Sequence, residues 1–445
     1  MAGETEYFKS FNSEALELSK TLPEEKSELY KRHFVPFPFG SIAGMFEGKA
    51  GGKKEDVEVL NALSGIILGN MMVKFDAVVG GRSMLQTKGG QIKIGSAEEV
   101  VSSRMNRKMY KNSDDKLVAL IHANTSNAVS ISVPKDGSTS LNVLFTNADA
   151  ALATQIFIDV GSGGHLNLFE WYASAGALHP NSQDSFLGAI HEIRVDSYAS
   201  ADVTLIHNED ENTHAVGFSK ARILDNGLLR LNYMYNGGAS TKAKNEVHAE
   251  GFSSRSDVTE LVLGSKGQKF DLNTVIANDG VDTVSDLESK AALMDSSLCI
   301  LKGFAEVGAD AKGSLSFVNE RGILLDKRAY ISSIPGMSIK NSNVKATHSS
   351  ATAPVDEDSL FYLMSRGADK MNAEKLLING FLSGGIAKVQ NPTARGAIAS
   401  LINEKVNTKD FGTVPKLDTG GIWFDSPTGK EGDLFKGHYK YRDVR

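Results

Sequence analysis

The sequence predicts a mainly β protein with helices at both ends, and three observations carry that prediction. From about Lys116 to Leu325, short runs rich in Val, Ile, Leu and Phe, each closed by Gly, Asn, Asp or Ser, recur about every 12 residues. No long helical pattern interrupts them over roughly 200 residues, which leaves a sandwich, a barrel or a solenoid. Helical spacing occurs in residues 5 to 34 and returns in three stretches after residue 355.

Taken in order, residues 5 to 34 predict two helices. Ser13 is an expected N-cap, Ala15, Leu18 and Leu22 share one face, and Leu22-Pro23 breaks the pattern before Leu29 and Tyr30. A segment punctuated by Pro and Gly follows, from Pro36 through Gly51-Gly52. The most apolar window, Val59 to Phe75, is interrupted by Asn61, Ser64, Gly65, Gly69, Asn70 and Lys74. It falls short of the roughly 20 apolar residues of a membrane span and reads as a buried helix or a strand pair. Loop-rich sequence then runs to about Asp115, and the strand texture begins with Leu117 to Ile121, Val129 to Val133, Leu141 to Phe145 and Gln155 to Val160. Later runs open near His191, Asp202, Ala215 and Gly227.

The C-terminal helices carry their own punctuation. Asp356 is an N-cap, since its carboxylate can accept from orphan N–H groups, and Glu357 and Asp358 complement the positive end of the helix dipole. Leu360, Leu363 and Met364 form one apolar stripe, and Arg366 with Gly367 ends the helix. A second helix opens near Asn372 with Leu376, Leu377 and Phe381 inward. A third opens at Asn391-Pro392 and buries Ala394, Ala397, Ile398, Leu401 and Ile402. The expected units are a helical or mixed region at 1–115, a β core at 116–350, a helical domain at 351–410 and a tail at 411–445.

With 445 residues the chain has ample length for a large core without disulfides, and Cys299 is its single cysteine. That excludes an intrachain disulfide and a cysteine-rich metal cage, and it suits a reducing cytoplasm. Forty-eight basic against fifty-four acidic residues leave a formal charge of -6 with no basic stripe, so neither nucleic acid nor a membrane is an expected partner. The acidic, polar start Met-Ala-Gly-Glu-Thr-Glu lacks the features of a secretory signal.

Few residues form a motif with chemistry of its own. His207 and His214 bracket Glu209, Asp210 and Glu211 without helical metal-ligand spacing, which reads as a solvated turn. His191 and His248 stand alone, and Cys299 among aliphatic neighbours reads as a small buried hydrophobe. Gly161-Ser162-Gly163-Gly164 lacks dinucleotide-site spacing and reads as a tight turn; Ser426 to Gly432 lacks the upstream glycine and the hydroxyl residue of a P-loop. No nucleophile elbow or Cys-His pair is present. Glu192 and Asp196, on one expected strand, would lie roughly 13 Å apart, beyond the roughly 5 to 9.5 Å of glycosidase carboxylates, which weakens the reading as a carbohydrate-active β-helix enzyme.

One constellation is more specific. Lys345-Ala346-Thr347-His348-Ser349-Ser350-Ala351-Thr352, then Asp356 to Gly367, then Ala373 to Phe381, resemble the signature of the SufB/SufD family of iron-sulfur cluster assembly scaffolds. The likeness is clearest from about residue 190 to 385 and weaker from 116 to 190; the first hundred residues and the tail after Lys416, with Trp423, Phe424, Phe435, Tyr439 and Tyr441, lie outside it. The resemblance implies a right-handed parallel β-helix with flanking helices. It implies a scaffold without its own catalytic motif, working in the cytoplasm with a SufC-like ABC ATPase and with a SufB-like paralogue or a second copy. A structural protein without cluster chemistry is the alternative.

The resemblance also assigns residues. His348 sits at the family's recurring histidine, the expected metal ligand for a transient iron-sulfur cluster shared with a partner. The cysteine expected in SufB-like members falls on Glu320 or Arg321, and their glutamate after the histidine is Ser349, so the chain is closer to SufD. Glu320 could offer an oxygen ligand, with an exposed, solvated carboxylate as the simpler expectation. Leu360, Phe361, Met364, Arg366, Leu377 and Phe381 are the expected ATPase-binding positions, although apolar residues among them could instead close the core. Flavin binding is left undecided by these motifs.

Overall fold

In the computed structural model, the described residues are 2–24, 34–46, 65–68, 71–80, 83–86, 92–104, 107–146, 151–174 and 184–408. They form a parallel β-solenoid of about seven turns with helices at both ends. One sheet contains β5 (Ile92–Ser96), β6 (Asn127–Val133), β8 (Ala151–Val160), β10 (Ser185–Val195), β12 (Thr213–Ile223), β14 (Ser240–Ala249), β16 (Lys269–Asn278), β18 (Leu298–Val307), β20 (Tyr330–Ser333) and β21 (Gly336–Ile339). The other contains β3 (Ala77–Gly80), β4 (Ser83–Gln86), β7 (Ser138–Thr146), β9 (His165–Ala173), β11 (Ser200–Asn208), β13 (Leu228–Tyr235), β15 (Arg255–Gly264), β17 (Val284–Leu293), β19 (Leu315–Leu324) and β22 (Lys345–Pro354). From β6 to β18, each strand pairs in parallel with the strand two ahead of it, so the chain alternates between sheets as it climbs.

The turns explain why short strands separated by small polar residues stack this way. On one edge Asp136, Tyr198, Asn226, Ser253 and Asp282 all adopt left-handed φ between 53° and 59°. Each points its N–H at the next coil: Tyr198 N donates to Asp225 O at 2.8 Å, Asn226 N to Phe252 O at 2.8 Å, and Ser253 N to Val281 O at 2.9 Å. Gly163 (φ 68°) belongs to the same column, and Gly164 N closes a turn on Gly161 O at 2.8 Å, as expected for that glycine run. Between the sheets, alternate side chains such as Ile158, Val195, Ile223, Leu231 and Leu272 form the main core.

The first described helix, α1 (Ala2–Thr21), ends before Leu22-Pro23 as the sequence indicated, but Ser13 lies inside it rather than capping it. Leu29 and Tyr30 fall outside the described residues. After α2 (Phe39–Phe46), the apolar window resolves as a strand pair, β1 (Gly65–Leu68) antiparallel to β2 (Met71–Lys74). The expected strand Leu117 to Ile121 is instead helical. It follows α3 (Ala97–Ser102) and lies in α4 (Lys116–Asn124), whose N-cap Asp115 accepts from Leu117 N at 2.8 Å. Leu117 to Ile121 are all buried, so their apolar run has no amphipathic period to separate helix from strand.

The C-terminal helices are α5 (Glu357–Ser365), α6 (Lys370–Lys388) and α7 (Pro392–Thr408). Asp356 caps α5 by accepting from Asp358 N and Ser359 N, and Gly367 takes φ 99° just past its end. Helices α6 and α7 cover the outer face of the second sheet, where Ile378, Leu382, Ala394, Ala397, Ile398, Leu401 and Ile402 meet Trp171, Met234, Leu261 and Ala292. A Cβ on Gly385 would come within 2.6 Å of Leu261 Cδ2, which shows how closely α6 approaches the sheet. Lys405 secures α7 by donating to Leu263 O and Gln268 Oε1 at 2.5 and 2.6 Å. The aromatic tail and the Ser426 to Gly432 segment lie outside the described residues.

Candidate functional site

Among the described residues, the last strand of the second sheet, β22, pairs with β19 on one side only. Val318 is opposite His348, Asn319 opposite Ser349, and Glu320 opposite Ser350. In-register parallel neighbours place their side chains on the same face, so His348 and Ser350 stand on the interior side of the sheet, beyond the last covered coil. Val318 and Glu320 are buried there, whereas His348 and Ser350 are exposed. Ser349 Oγ donates to Asn319 Oδ1 at 3.0 Å on the opposite face. The expected pair His348 and Glu320 is therefore on adjacent strands, about 8 Å apart between Cα positions by the usual diagonal spacing.

Glu320 is not the solvated carboxylate that the sequence suggested. Its side chain is fully buried, and Oε1 accepts from Gly303 N at 2.5 Å. Burial raises its pKa to about 8, opposed by that N–H and reinforced by the charge of Glu260. Glu320 shares the inward face with Val318 at i−2, and that alternation is the signal sequence reasoning passed over.

Glu320 is the last member of a buried polar seam that the sequence reading missed. On the second sheet Glu170, Leu205, Tyr233, Glu260, Ser289 and Glu320 stack in one register column. Facing them on the first sheet are His191, Ser219, Asn245, Thr274 and Gly303, also in one column. Bonds cross between the columns: His191 Nε2 lies 2.7 Å from Glu170 Oε2, Tyr233 Oη donates to Ser219 Oγ at 2.9 Å, and Asn245 Nδ2 donates to Glu260 Oε1 at 3.3 Å. Ser289 Oγ and Thr274 Oγ1 also donate to Glu260, whose pKa is raised by burial against these bonds. Beside the seam His207 stacks between Tyr172 and Tyr235, with ring centroids 4.7 and 5.3 Å away, and its Nδ1 is 2.7 Å from Glu209 Oε1. His207 and Glu209 are thus core residues, and only the bend after them is a turn.

The remaining candidates separate cleanly. Cys299 is buried in the main core, and burial raises its thiol pKa well above the ordinary value, with the charges of Glu260, Asp271 and Glu320 adding to that. His191 and His248 do not stand alone. His191 belongs to the seam, and His248 Nδ1 is 2.9 Å from Asp279 Oδ2 on the outer face. The ligand atoms of His248, Glu250 and Asp279 lie within 4.8 Å of one another, a spacing that the His248–Asp279 and Arg222–Glu250 pairs account for. Hydrogen bonds donated to Asp279 and Glu246 raise His248 to about 9, while His248 and Lys220 bring Glu246 down to about 2. Glu192 accepts from Met109 N at 2.6 Å and Asp196 from Ser197 N at 2.7 Å, so each holds backbone rather than forming a carboxylate pair.

The expected ATPase-binding positions divide by exposure. Phe361 is 72% exposed, its neighbour Tyr362 56%, and Met364 and Arg366 are exposed as well. Met371 and Leu376 extend this apolar surface onto α6, so Leu376 does not point inward as its spacing suggested. Leu360 and Leu377 are half-buried. Phe381 is buried against the second sheet with Lys290 Nζ 5.7 Å from its ring, and it closes the core instead of lying on the surface.

Among the described residues no helix is long and apolar enough to cross a membrane. Residues 143–381 match the family model described as SUF system FeS cluster assembly, SufBD core domain. An iron-sulfur cluster assembly SufBD family protein of Staphylococcus saprophyticus is 25% identical over 201 residues, 45% of this chain and 43% of that protein. One of Staphylococcus epidermidis is 26% identical over 274 residues, and one of Staphylococcus aureus 25% over 275, each covering 60% of this chain and 58% of the relative. The chain thus spans about two fifths to three fifths of the length of these relatives. The match over residues 143–381, together with the solenoid those residues build, makes this chain a member of the SufBD family of SUF-system iron-sulfur cluster assembly proteins.

Proposed function

We propose that this chain is a non-enzymatic scaffold subunit, closer to SufD than to SufB, on which an iron-sulfur cluster is assembled in the cytoplasm with a SufC-like ABC ATPase. The observation that carries the reading is the side of β22 that has no strand partner among the described residues, where His348 stands on the interior face one strand beyond the buried Glu320. An unpaired strand edge offers a row of backbone donors and acceptors, and a SufB-like paralogue or a second copy would complete it by strand addition. His348 is then a nitrogen ligand at the seam between subunits, with Glu320 as an oxygen donor behind it. Cluster iron is held by thiolates as a rule, and Cys299 is enclosed in the core, so the cluster is shared and its sulfur ligands come from the partner.

The exposed apolar surface of Phe361, Tyr362, Met364, Met371 and Leu376 is the proposed ATPase contact, with Arg366 at its rim. Closure of the ATPase dimer would move two such scaffolds relative to each other and open the strand contact around His348, so that ATP binding is coupled to access at the site.

The test is co-purification of this chain with the SufC-like ATPase of its own organism, with and without a SufB-like paralogue, reading stoichiometry by light scattering. A stable ATPase complex that is lost with Phe361→Asp supports the proposal, and its composition identifies the strand partner. Absence of binding under both conditions sinks it in favour of a structural protein without cluster chemistry.

A further inference from the structure

A cavity of about 470 Å³ on the outer face of the first sheet is lined by Arg107, Lys135, Arg194 and Arg222, with Asp159, Asp196 and Glu250 among its other walls. Its construction runs against the usual rule for neighbouring strands. Ser132, Asp159, Arg194, Arg222 and His248 occupy one register column, so two guanidinium groups project from adjacent strands about 4.8 Å apart. Like charges placed side by side in a sheet repel, and nothing in the packing compels arginine at both positions, because this face is open to solvent.

Two of the three carboxylates are already paired with guanidinium groups, and the third is bonded to backbone and keeps its charge. Asp159 is bonded to Arg104, Glu250 accepts from Arg222 Nε at 2.5 Å, and Asp196 accepts from Ser197 N at 2.7 Å. Arg194 donates to the carbonyl of Arg107, and among the described residues no carboxylate is paired with Arg194, Arg107 or Lys135. Positive charge is therefore in surplus inside a concavity, where the low-dielectric wall concentrates the field. Guanidinium forks match the planar or tetrahedral oxygens of carboxylates and phosphates, and two forks on neighbouring strands favour a ligand with more than one anionic group.

We propose that this cavity binds a small, multiply charged oxyanion, which neutralises Arg194, shares the Arg222 guanidinium with Glu250 on the adjacent strand and is held at the rim by Arg107 and Lys135. The site lies on first-sheet strands from β6 to β14 and the residues flanking them, away from β22, and it does not depend on the cluster-assembly reading.

Titration calorimetry and thermal melts of the full chain test this, with sodium diphosphate and sodium citrate as probes at constant ionic strength. Saturable binding is expected to weaken at least tenfold in Arg194→Gln and several-fold in Lys135→Gln, and to be unchanged in Arg328→Gln, a distant exposed arginine paired with Asp326. Preference for diphosphate identifies a phosphate-bearing ligand and preference for citrate a polycarboxylate; either supports the site. If Arg194→Gln does not fold, the rim variants Lys135→Gln and Arg107→Gln carry the same comparison. Absence of saturable binding to both probes, equal stabilisation by sodium chloride, or affinity retained in the combined Arg107→Gln and Lys135→Gln variant would overturn the proposal.

Discussion

At its first coils the solenoid is closed by its own chain. Strand β5 runs antiparallel on β6, the β3–β4 hairpin continues the second sheet beyond β7, and Phe8, Ala97, Val100 and Val101 pack against Ala128 and Phe157. At the last coil β22 has a neighbour on one side only among the described residues, and most of its side chains are exposed. Both ends face the same physical problem, a row of unpaired N–H and C=O groups. One end answers it with antiparallel strands; at the other, no partner covers the strand that carries His348 among the described residues. This asymmetry suits the single, directional strand contact proposed above.

The largest expected effect sharpens the contrast between Glu320, on the last covered strand, and Ser350, its exposed register neighbour. Glu320 titrates near 8 when folded and near 4.5 when unfolded, so between those values the native state holds the extra proton and stability falls as pH rises. Glu320→Gln should remove about 4 kcal/mol of that fall between pH 4.5 and 8. Urea midpoints of both proteins at the two pH values read the difference directly. Equal pH dependence would mean that the carboxyl is not buried as described.

Next in size is a contrast within the C-terminal helices. Phe381→Ala should cost about 3 to 4 kcal/mol of stability, because the ring fills space between α6 and the second sheet. Phe361→Ala, one helix earlier, should stay within about 0.5 kcal/mol while weakening ATPase binding. Similar losses of stability for the two would erase the distinction between closing residues and docking residues.

Much of this contrast was legible in the sequence, and the rest was hidden for definite reasons. The short strands closed by Asn, Asp, Ser and Gly were readable because those residues occupy the left-handed turn positions. The Asp356 cap and the buried face of α7 were readable from local spacing. Helix α4 was not, since an apolar run buried on every side has no period, although Asp115 marked its start. The polar seam was invisible for another reason: Glu170, Glu260 and Glu320 are distant in sequence, and only the stacking register brings them into line. Resemblance drew attention to His348, and the fold adds that its strand is the last of the second sheet, with no partner on its far side among the described residues.

The smallest effect on stability should come from His348, and it divides the two sides of the last strand pair most sharply. Val318 and His348 are register neighbours on one face of the sheet, yet the first is buried and the second is exposed. Val318→Ala removes two packed methyl groups and should cost about 2 kcal/mol. His348→Ala removes no buried contact and should shift the urea midpoint by the equivalent of about 0.5 kcal/mol or less. If His348 ligates the cluster at the strand contact, the same variant should still bind the ATPase but lose cluster assembly when the complex is reconstituted with iron and sulfide. Normal assembly in a folded, ATPase-bound His348→Ala complex would remove the histidine from the site and leave the bare edge as an interface without metal chemistry.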